Sequence, residues 1–335
     1  MKRAMSKKLP KKINYLRVSV TDRCNLRCIY CMPKEGLSLL GHNDILRYEE
    51  ILRVVRAAIP EGINKVRLTG GEPLTRKGIV GFIDNLTKIE GLSDVSLTTN
   101  GILLADHAEA IYQAGIRRIN ISVDSLNPDR YRTITRGGDL DAVLRGIRKA
   151  AEVGFSPIKI NIVLMKGTND DEILDFARAT LRWPYQVRFI EMMPIGRKSA
   201  DSPTEYLSND VARERIGQSF KMEYLGENGD PENRGPARRY RIDGAIGEIG
   251  FISPISHEFC GECNRLRLTA EGHLRACLLS DDEIDLKPDL RSGCSDELLK
   301  GLIRRAIAAK PAGRHALPGD PSPRKCSRQM SAIGG

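Results

Sequence analysis

Along the first two thirds of the chain, segments that read as strands give way in turn to segments whose apolar residues recur at helical spacing. Residues 15–20 read as a strand, and residues 48–59 carry Ile51, Leu52, Val55, Ala58 and Ile59 on one helical face. Further strands are predicted at 65–68, 94–98, 118–123, 158–164 and 187–190, with helices at about 78–89, 105–114, 141–153 and 171–181 between them. Such a succession requires a parallel sheet with right-handed crossovers. The predicted fold is α/β, an incomplete (β/α)6 TIM-type barrel, with its working residues at the carboxyl ends of the strands. The open arc of such a barrel needs a cover. The polar, turn-rich stretch 226–239 places a boundary there, dividing a partial barrel (1–228) from a C-terminal module (229–335) that closes the open side.

The ends of the predicted strands collect small and polar residues. Gly70-Gly71-Glu72-Pro73 follows the second strand, Thr98-Thr99-Asn100-Gly101 the third, and Ser122-Val123-Asp124-Ser125 the fourth. Glycine after a strand is ordinarily a turn residue, so each motif alone says little. Their coincidence at one end of a barrel says more.

Cysteine sharpens the picture. Six of eight cysteines form two sets of three, Cys24-x3-Cys28-x2-Cys31 and Cys260-x2-Cys263-x13-Cys277. No apolar run approaches the ~18 residues of a membrane span, and the basic start runs into a segment broken by Arg17, so a cytoplasmic protein is expected. Clustered cysteines in a reducing compartment favour metal over disulfides. A structural zinc site is closed by four ligands, whereas three thiolates on a four-iron cluster leave one iron open. For the second set, His257 and His273 lie close in sequence, and spacing alone leaves a zinc site of three cysteines and one histidine open. Cys294 and Cys326 fall outside both sets; Cys294 reads as a small residue leading a helix and Cys326 as a thiol on a mobile tail, and neither is expected to have a function.

The chain carries 53 Lys+Arg against 43 Asp+Glu, which suits a polyanionic partner such as a nucleotide. Aromatics are only 5%, and no aromatic-rich strand pair of the single-strand-binding kind is visible, so nucleic acid is not the expected partner. The Pro/Gly-rich basic run 311–323 reads as a flexible arm leading to the terminal Gly334-Gly335.

The first cysteine set, with Tyr30 before its last cysteine and Gly-Gly-Glu-Pro after the next strand, resembles the radical S-adenosylmethionine superfamily. The second set, within His257-Glu258-Phe259-Cys260-Gly261-Glu262-Cys263-Asn264-Arg265-Leu266-Arg267, then Cys277 and the terminal Ile333-Gly334-Gly335, is similar to the GTP-cyclising family of that superfamily, which opens molybdenum-cofactor biosynthesis. The resemblance implies a lyase that converts GTP into (8S)-3′,8-cyclo-7,8-dihydroguanosine 5′-triphosphate. It implies two [4Fe-4S] clusters, one on Cys24, Cys28 and Cys31 and one on Cys260, Cys263 and Cys277, with S-adenosylmethionine on the open iron of the first and the guanine on that of the second.

Residue by residue, the resemblance assigns Tyr30 (through its backbone), Gly71, Ser122 and Met193 to S-adenosylmethionine. It assigns Arg17, Arg67, Thr98, Lys159, Arg265, Leu266 and Arg267 to GTP. Arg17, Arg265, Arg267, Gly334 and Gly335 are its expected catalytic residues, the tail reaching back into the cavity. Expected partners are a reductant or electron-transfer protein and a downstream cyclic pyranopterin monophosphate synthase, with a homodimer among the expected assemblies and no membrane. Two other classes compete: a radical enzyme acting on a polypeptide, and a non-catalytic iron-sulfur or zinc protein that binds RNA.

Overall fold

The computed structural model of the chain describes residues 13–195, 206–227, 235–311, 313 and 326–334. Its first part runs β1 (Tyr15–Ser19), α1 (Tyr48–Ala58), β2 (Lys65–Thr69), α2 (Ile79–Thr87), β3 (Asp94–Thr99), α3 (Leu104–Gln113), β4 (Arg118–Ser122), α4 (Pro128–Thr135), α5 (Leu140–Val153), β5 (Ile158–Leu164), α6 (Ile173–Arg182) and β6 (Gln186–Glu191). Adjacent strands pair in parallel from β1 to β6. Helix boundaries follow local chemistry. For α5, the Asp139 carboxylate accepts the Asp141 N–H at 2.9 Å, and Gly154, at φ 102°, ends the helix in the left-handed region. Only α4 went unpredicted, since little more than Tyr131 and Ile134 turns inward from a mostly polar segment.

Two faces of these strands have opposite character. Leu16, Val18, Val66, Leu68, Leu97, Ile119, Ile121, Ile160, Ile162, Val187 and Phe189 are buried against the helices. Fully burying each such side chain contributes on the order of 2 kcal/mol. The alternate positions face the other way and are mostly polar. Tyr15, Arg17 and Ser19 stand in register with Lys65, Arg67 and Thr69, and Asn120 and Ser122 with Lys159 and Asn161. The barrel therefore has an apolar outside and a polar lumen.

The C-terminal part supplies α7 (Asn209–Ser219), β7 (Met222–Glu227), β8 (Ala237–Ile242), β9 (Glu248–Ile252), β10 (Arg265–Leu268), β11 (His273–Arg275), β12 (Glu283–Asp285), α8 (Lys287–Arg291) and α9 (Asp296–Ala308). It extends the parallel sheet at both edges rather than closing it. Strand β9 pairs in parallel with β6, and β10 in parallel with β1, so eight parallel strands run β10-β1-β2-β3-β4-β5-β6-β9. Among the described residues β9 and β10 do not pair with each other, and the arc stays open. They are consecutive in the chain yet sit on opposite edges, so segment 253–264, with Cys260 and Cys263, spans the gap. The expected boundary between residues 228 and 229 lies outside the described residues, as does most of the 311–323 arm.

Candidate active site

Strand β1 delivers the chain to the loop carrying Cys24, Cys28 and Cys31, and neighbouring elements pin that loop from three sides. The last carbonyls of α4 accept N–H bonds from it, Arg27 to Thr135 at 3.1 Å and Ile29 to Ile134 at 2.9 Å. The next residue, Arg136, holds the left-handed conformation at φ 56°, and its guanidinium donates to the Arg27 and Met32 carbonyls at 3.2 and 2.9 Å. From β2, the Gly71 N–H donates to Thr21 O at 2.7 Å, and a Cβ at Gly71 would collide with the Arg23 carbonyl just before Cys24. That close approach is why glycine stands there.

Two buried carboxylates complete the frame. Glu72 accepts from Leu74 N (3.0 Å), Thr99 Oγ1 (2.7 Å) and Asn100 N (2.6 Å), and the Asn100 amide reaches Asn25 Oδ1 at 2.7 Å. Asp124 accepts from Tyr30 Oη at 2.8 Å and from Val163 N at 2.8 Å. Burial pushes Glu72 up to about 7 and Asp124 up to about 6. The thiols feel the same burial and these same carboxylates. Cys24 rises to about 11 and Cys31 to about 12, and Cys28 rises well above its ordinary range, all three through burial first. Mutually repelling, buried thiols of this kind become thiolates when a cationic metal group joins them. As a donor set, three soft sulfurs on one short loop suit an iron-sulfur cluster.

The second set lies at the other end of the sheet. Cys260–Glu262 forms one tight 3-10 turn, Cys263 follows, and β10 begins at Arg265; Cys277 follows the end of β11. Burial raises the Cys263 thiol, but the Arg265 and Lys310 charges outweigh it, and the net value falls to about 7. The Lys310 ammonium donates to Arg265 O (2.5 Å) and Ala276 O (2.6 Å), bracketing the loop. Each nearby histidine has one ring nitrogen against a carboxylate: His257 Nε2 is 2.8 Å from Asp210 Oδ2, and His273 Nδ1 is 3.1 Å from Glu283 Oε2. Among the described residues, no three His, Cys, Asp or Glu side chains converge as they would on a single metal ion.

Between the two ends, cations fill the lumen. Arg17 stands in register with Arg267 on one side and Arg67 on the other, and Lys159 and Arg188 enter from β5 and β6. Burial and mutual repulsion lower Arg17 well below its ordinary value, Arg267 to about 10, Arg188 to about 9, and Lys159 to about 6. Among the described residues, the buried atoms Thr98 Oγ1, Asn161 Oδ1 and Arg265 Nε have no hydrogen-bond partner. Buried like charges and orphaned polar atoms are costly unless an anion with acceptors of its own completes them.

The structure thus gathers Arg17, Arg67, Thr98, Lys159, Arg265 and Arg267 on one lumen. The Leu266 side chain is buried in the core, leaving only its backbone toward that space. Ser122 ends β4, in register with Asn161. Met193 packs on a small satellite core of Ile195, Leu279, Cys326 and Ile333. Cys326, expected to be a thiol on a loose tail, is instead buried, with its sulfur accepting from Arg275 Nη2 at 3.3 Å. The Gly334 carbonyl accepts from Arg267 Nη1 at 2.9 Å; Gly335 lies outside the described residues.

Glu72, Asp124, Arg136 and Arg188 have no role assigned from the sequence. Glu72 and Asp124 lie within the strand-end motifs, and Arg188 is a cation at a lumen-facing position of an otherwise apolar segment, whereas Arg136 leaves no signal.

Residues 18–180 match the family model of the radical SAM superfamily, and residues 185–316 that of Molybdenum Cofactor Synthesis C. A GTP 3′,8-cyclase from Heliobacterium modesticaldum is 50% identical over 96% of this chain and 98% of its own length. The chain belongs to the GTP 3′,8-cyclase family. A second GTP 3′,8-cyclase, from Moorella thermoacetica, is 49% identical over 97% of the chain and 98% of its own length. The crystal structure of Streptococcus suis SuiB bound to S-adenosylmethionine shares the fold, with a TM-score of 0.60 at 13% identity, covering 97% of this chain and 78% of that one. GTP 3′,8-cyclases are radical S-adenosylmethionine enzymes with iron-sulfur clusters, acting on GTP in molybdenum-cofactor biosynthesis. The first cysteine set falls in the radical SAM segment and the second in the molybdenum-cofactor segment.

Proposed function

We propose that this chain converts GTP into (8S)-3′,8-cyclo-7,8-dihydroguanosine 5′-triphosphate in the cationic lumen between its two cysteine sets. The observation that carries the reading is the convergence of buried and half-buried cations from β1, β2, β5, β6 and β10 on one space with a cysteine triad at each end. Cys24, Cys28 and Cys31 would hold one [4Fe-4S] cluster, and Cys260, Cys263 and Cys277 a second. When bound, the first cluster would supply the electron for reductive cleavage of S-adenosylmethionine, and that cofactor the 5′-deoxyadenosyl group that would take hydrogen from the ribose.

The protein's own part is charge, orientation and exclusion. Arg17, Arg67 and Lys159 receive the triphosphate, and Arg265 and Arg267 hold the nucleotide beside the second cysteine set. Thr98 offers its unpaired hydroxyl to the same ligand. Fixing GTP at both ends restricts it to conformers in which the ribose 3′ carbon faces carbon 8 of the guanine, which is where an intramolecular cyclisation gains most. The Tyr30 backbone, Gly71, Ser122 and Met193 line the S-adenosylmethionine side. Gly334, at φ 71°, brings backbone close to Ser19 and Thr69, where a Cβ would meet Thr69 Oγ1 at 2.8 Å and Ser19 Cβ at 2.9 Å. The tail thereby fills the cavity without a side chain and keeps water from it.

A low-potential reductant or electron-transfer protein, a cyclic pyranopterin monophosphate synthase downstream, a cytoplasmic location and a homodimer complete this proposal. No helix among the described residues is long and apolar enough to cross a membrane. The test is anaerobic incubation of cluster-loaded protein with GTP, S-adenosylmethionine and a chemical reductant, followed by product analysis. Protein with both clusters that cleaves S-adenosylmethionine but never yields the cyclised nucleotide would overturn it.

A further inference from the structure

The tail segment 326–334 is held to the C-terminal hairpin by charge before it reaches the lumen. The Ser327 N–H donates to both Asp281 carboxylate oxygens, at 3.0 and 3.1 Å. The Arg328 guanidinium then forks between two carboxylates, one arm on Glu271 and the other on Glu283 Oε2 at 2.8 Å. Glu283 is the hub, since it also takes the fully buried Arg275 and, at 3.1 Å, His273 Nδ1. Beyond this clasp, Met330–Ile333 makes one 3-10 turn, Ile333 sinks into the satellite core, and Ser331 lies against Cys31. Gly334 then meets Arg267. The chain between clasp and tip is thus short and coiled. Where Arg328 sits decides where Gly334 can sit.

We propose that Arg328 is the positioning residue of the tail, its fork across Glu271 and Glu283 setting the depth at which Gly334 enters the GTP cavity. The role calls for arginine in particular. A planar fork can satisfy two carboxylates at once, whereas a lysine ammonium is a single point charge on a flexible stem. Both acceptors are largely sheltered, with Glu271 18% and Glu283 12% exposed, so the contact is screened less than a surface pair. Because Glu283 keeps Arg275 and His273 when Arg328 is removed, the hairpin should survive and only the tail should be released.

This rests on the reading that the tail tip helps to organise GTP, and the test separates the two. Cluster-loaded Arg328→Ala and Arg328→Lys proteins are compared with the unaltered chain by hydrogen exchange over residues 326–334 and by cyclised product formed per S-adenosylmethionine cleaved. In Arg328→Ala, exchange of the tail amides should rise by about tenfold or more, as for a segment losing its local anchor. Product per cleavage should fall while iron content and GTP affinity stay close to those of the unaltered chain, with Arg328→Lys intermediate in both readouts. Unchanged exchange in Arg328→Ala overturns the clasp. Raised exchange with unchanged product per cleavage overturns its positioning role, and so does a loss of iron that matches the loss of product. If the unaltered protein cyclised no GTP, the functional reading would fail, while the exchange measurement would still decide the clasp.

Discussion

The carboxyl end of the lumen and its amino end hold the same ligand chemistry in opposite surroundings. At the first, the cysteines share their space with two buried carboxylates, Glu72 and Asp124, and all three thiols are pushed up. At the second, Arg265 and Lys310 pull the Cys263 thiol down to about 7 against its burial. The difference follows the ligands that each end is proposed to receive. A sulfonium cation is favoured near carboxylates and repelled by arginines, and a triphosphate the reverse. The lumen thus carries a charge gradient along the strand axis that allows one antiparallel placement of the two ligands and disfavours the other. It also means that loading metal at the first loop must expel protons from neutral thiols, whereas the second loop offers a thiolate close to neutral pH.

The hardest blow to this comparison is to remove one end. Replacing Cys24, Cys28 and Cys31 together by alanine should take reconstituted protein from about eight irons per chain to about four and abolish both S-adenosylmethionine cleavage and cyclisation. Replacing Cys260, Cys263 and Cys277 should also halve the iron and abolish cyclisation, while leaving cofactor cleavage in place. Metal analysis of protein prepared without oxygen decides the matter. Stoichiometric zinc on the second set would sink the idea that both ends are iron sites.

A smaller step is to weaken the cationic end alone. Arg265→Ala or Arg267→Ala should lower GTP affinity by roughly 1.5–3 kcal/mol, the range for charge-assisted hydrogen bonds, and leave S-adenosylmethionine affinity unaltered. Titration calorimetry with each ligand separately reads both. Equal losses for the two ligands would mean that the gradient does not sort them.

How far these two ends could be read from the sequence depends on whether local spacing encodes them. The cysteine triads and the first six strands were legible, because ligand spacing and strand-helix alternation are local patterns. The eight-strand arc was not. Strands β9 and β10 are 5 and 4 residues long, and each finds its parallel partner far away in the chain, at β6 and β1. Nothing near Glu248–Ile252 or Arg265–Leu268 encodes that pairing, and the placement of the second triad at the amino end follows from it. Cys326 was misjudged for the same reason: its burial depends on Arg275 and Ile195, which folding alone brings to it. Glu72 and Asp124 sat in recognised motifs, but their role as buried acceptors depends on Thr99, Asn100, Val163 and Tyr30 converging on them.

Lys159 tests the price of the cationic lumen when no ligand is present. Its ordinary value of 10.5 falls to about 6, through burial and then the Arg188, Arg67 and Arg118 charges. Between those values the unfolded chain protonates this lysine and the folded chain does not. The unfolded state binds more protons, so this group makes stability rise with pH from about 6 to about 10.5. Lys159→Met removes that dependence and should raise the melting temperature of ligand-free protein, most near pH 6 and least near pH 10. The same change should weaken GTP by about 1.5 kcal/mol, the worth of a charged hydrogen bond. GTP binding at pH 8 should draw a proton into the unaltered protein but not into the variant, which calorimetry in buffers of different ionisation enthalpy measures. Equal proton uptake by both would remove Lys159 from the phosphate site.

The smallest effect belongs to the carboxyl end. Tyr30 stands between two of the cysteines and donates to Asp124 Oδ2 at 2.8 Å, tying the loop to the end of β4 through a neutral hydroxyl. Tyr30→Phe keeps the ring and removes the donor. Asp124 retains the Val163 N–H, so one acceptor of a buried carboxylate is left short, at a cost of about 1–3 kcal/mol if no water replaces the hydroxyl and less if one does. The expected result is a modest fall in melting temperature and slower S-adenosylmethionine cleavage, with GTP affinity untouched because the change is confined to one end. Asp124→Asn, which removes the charge but keeps an acceptor for Tyr30, should be milder in stability. If Tyr30→Phe weakened GTP as much as it slowed cleavage, the two ends would be coupled through the cysteine loop, and the division of charge between them would not be a division of function.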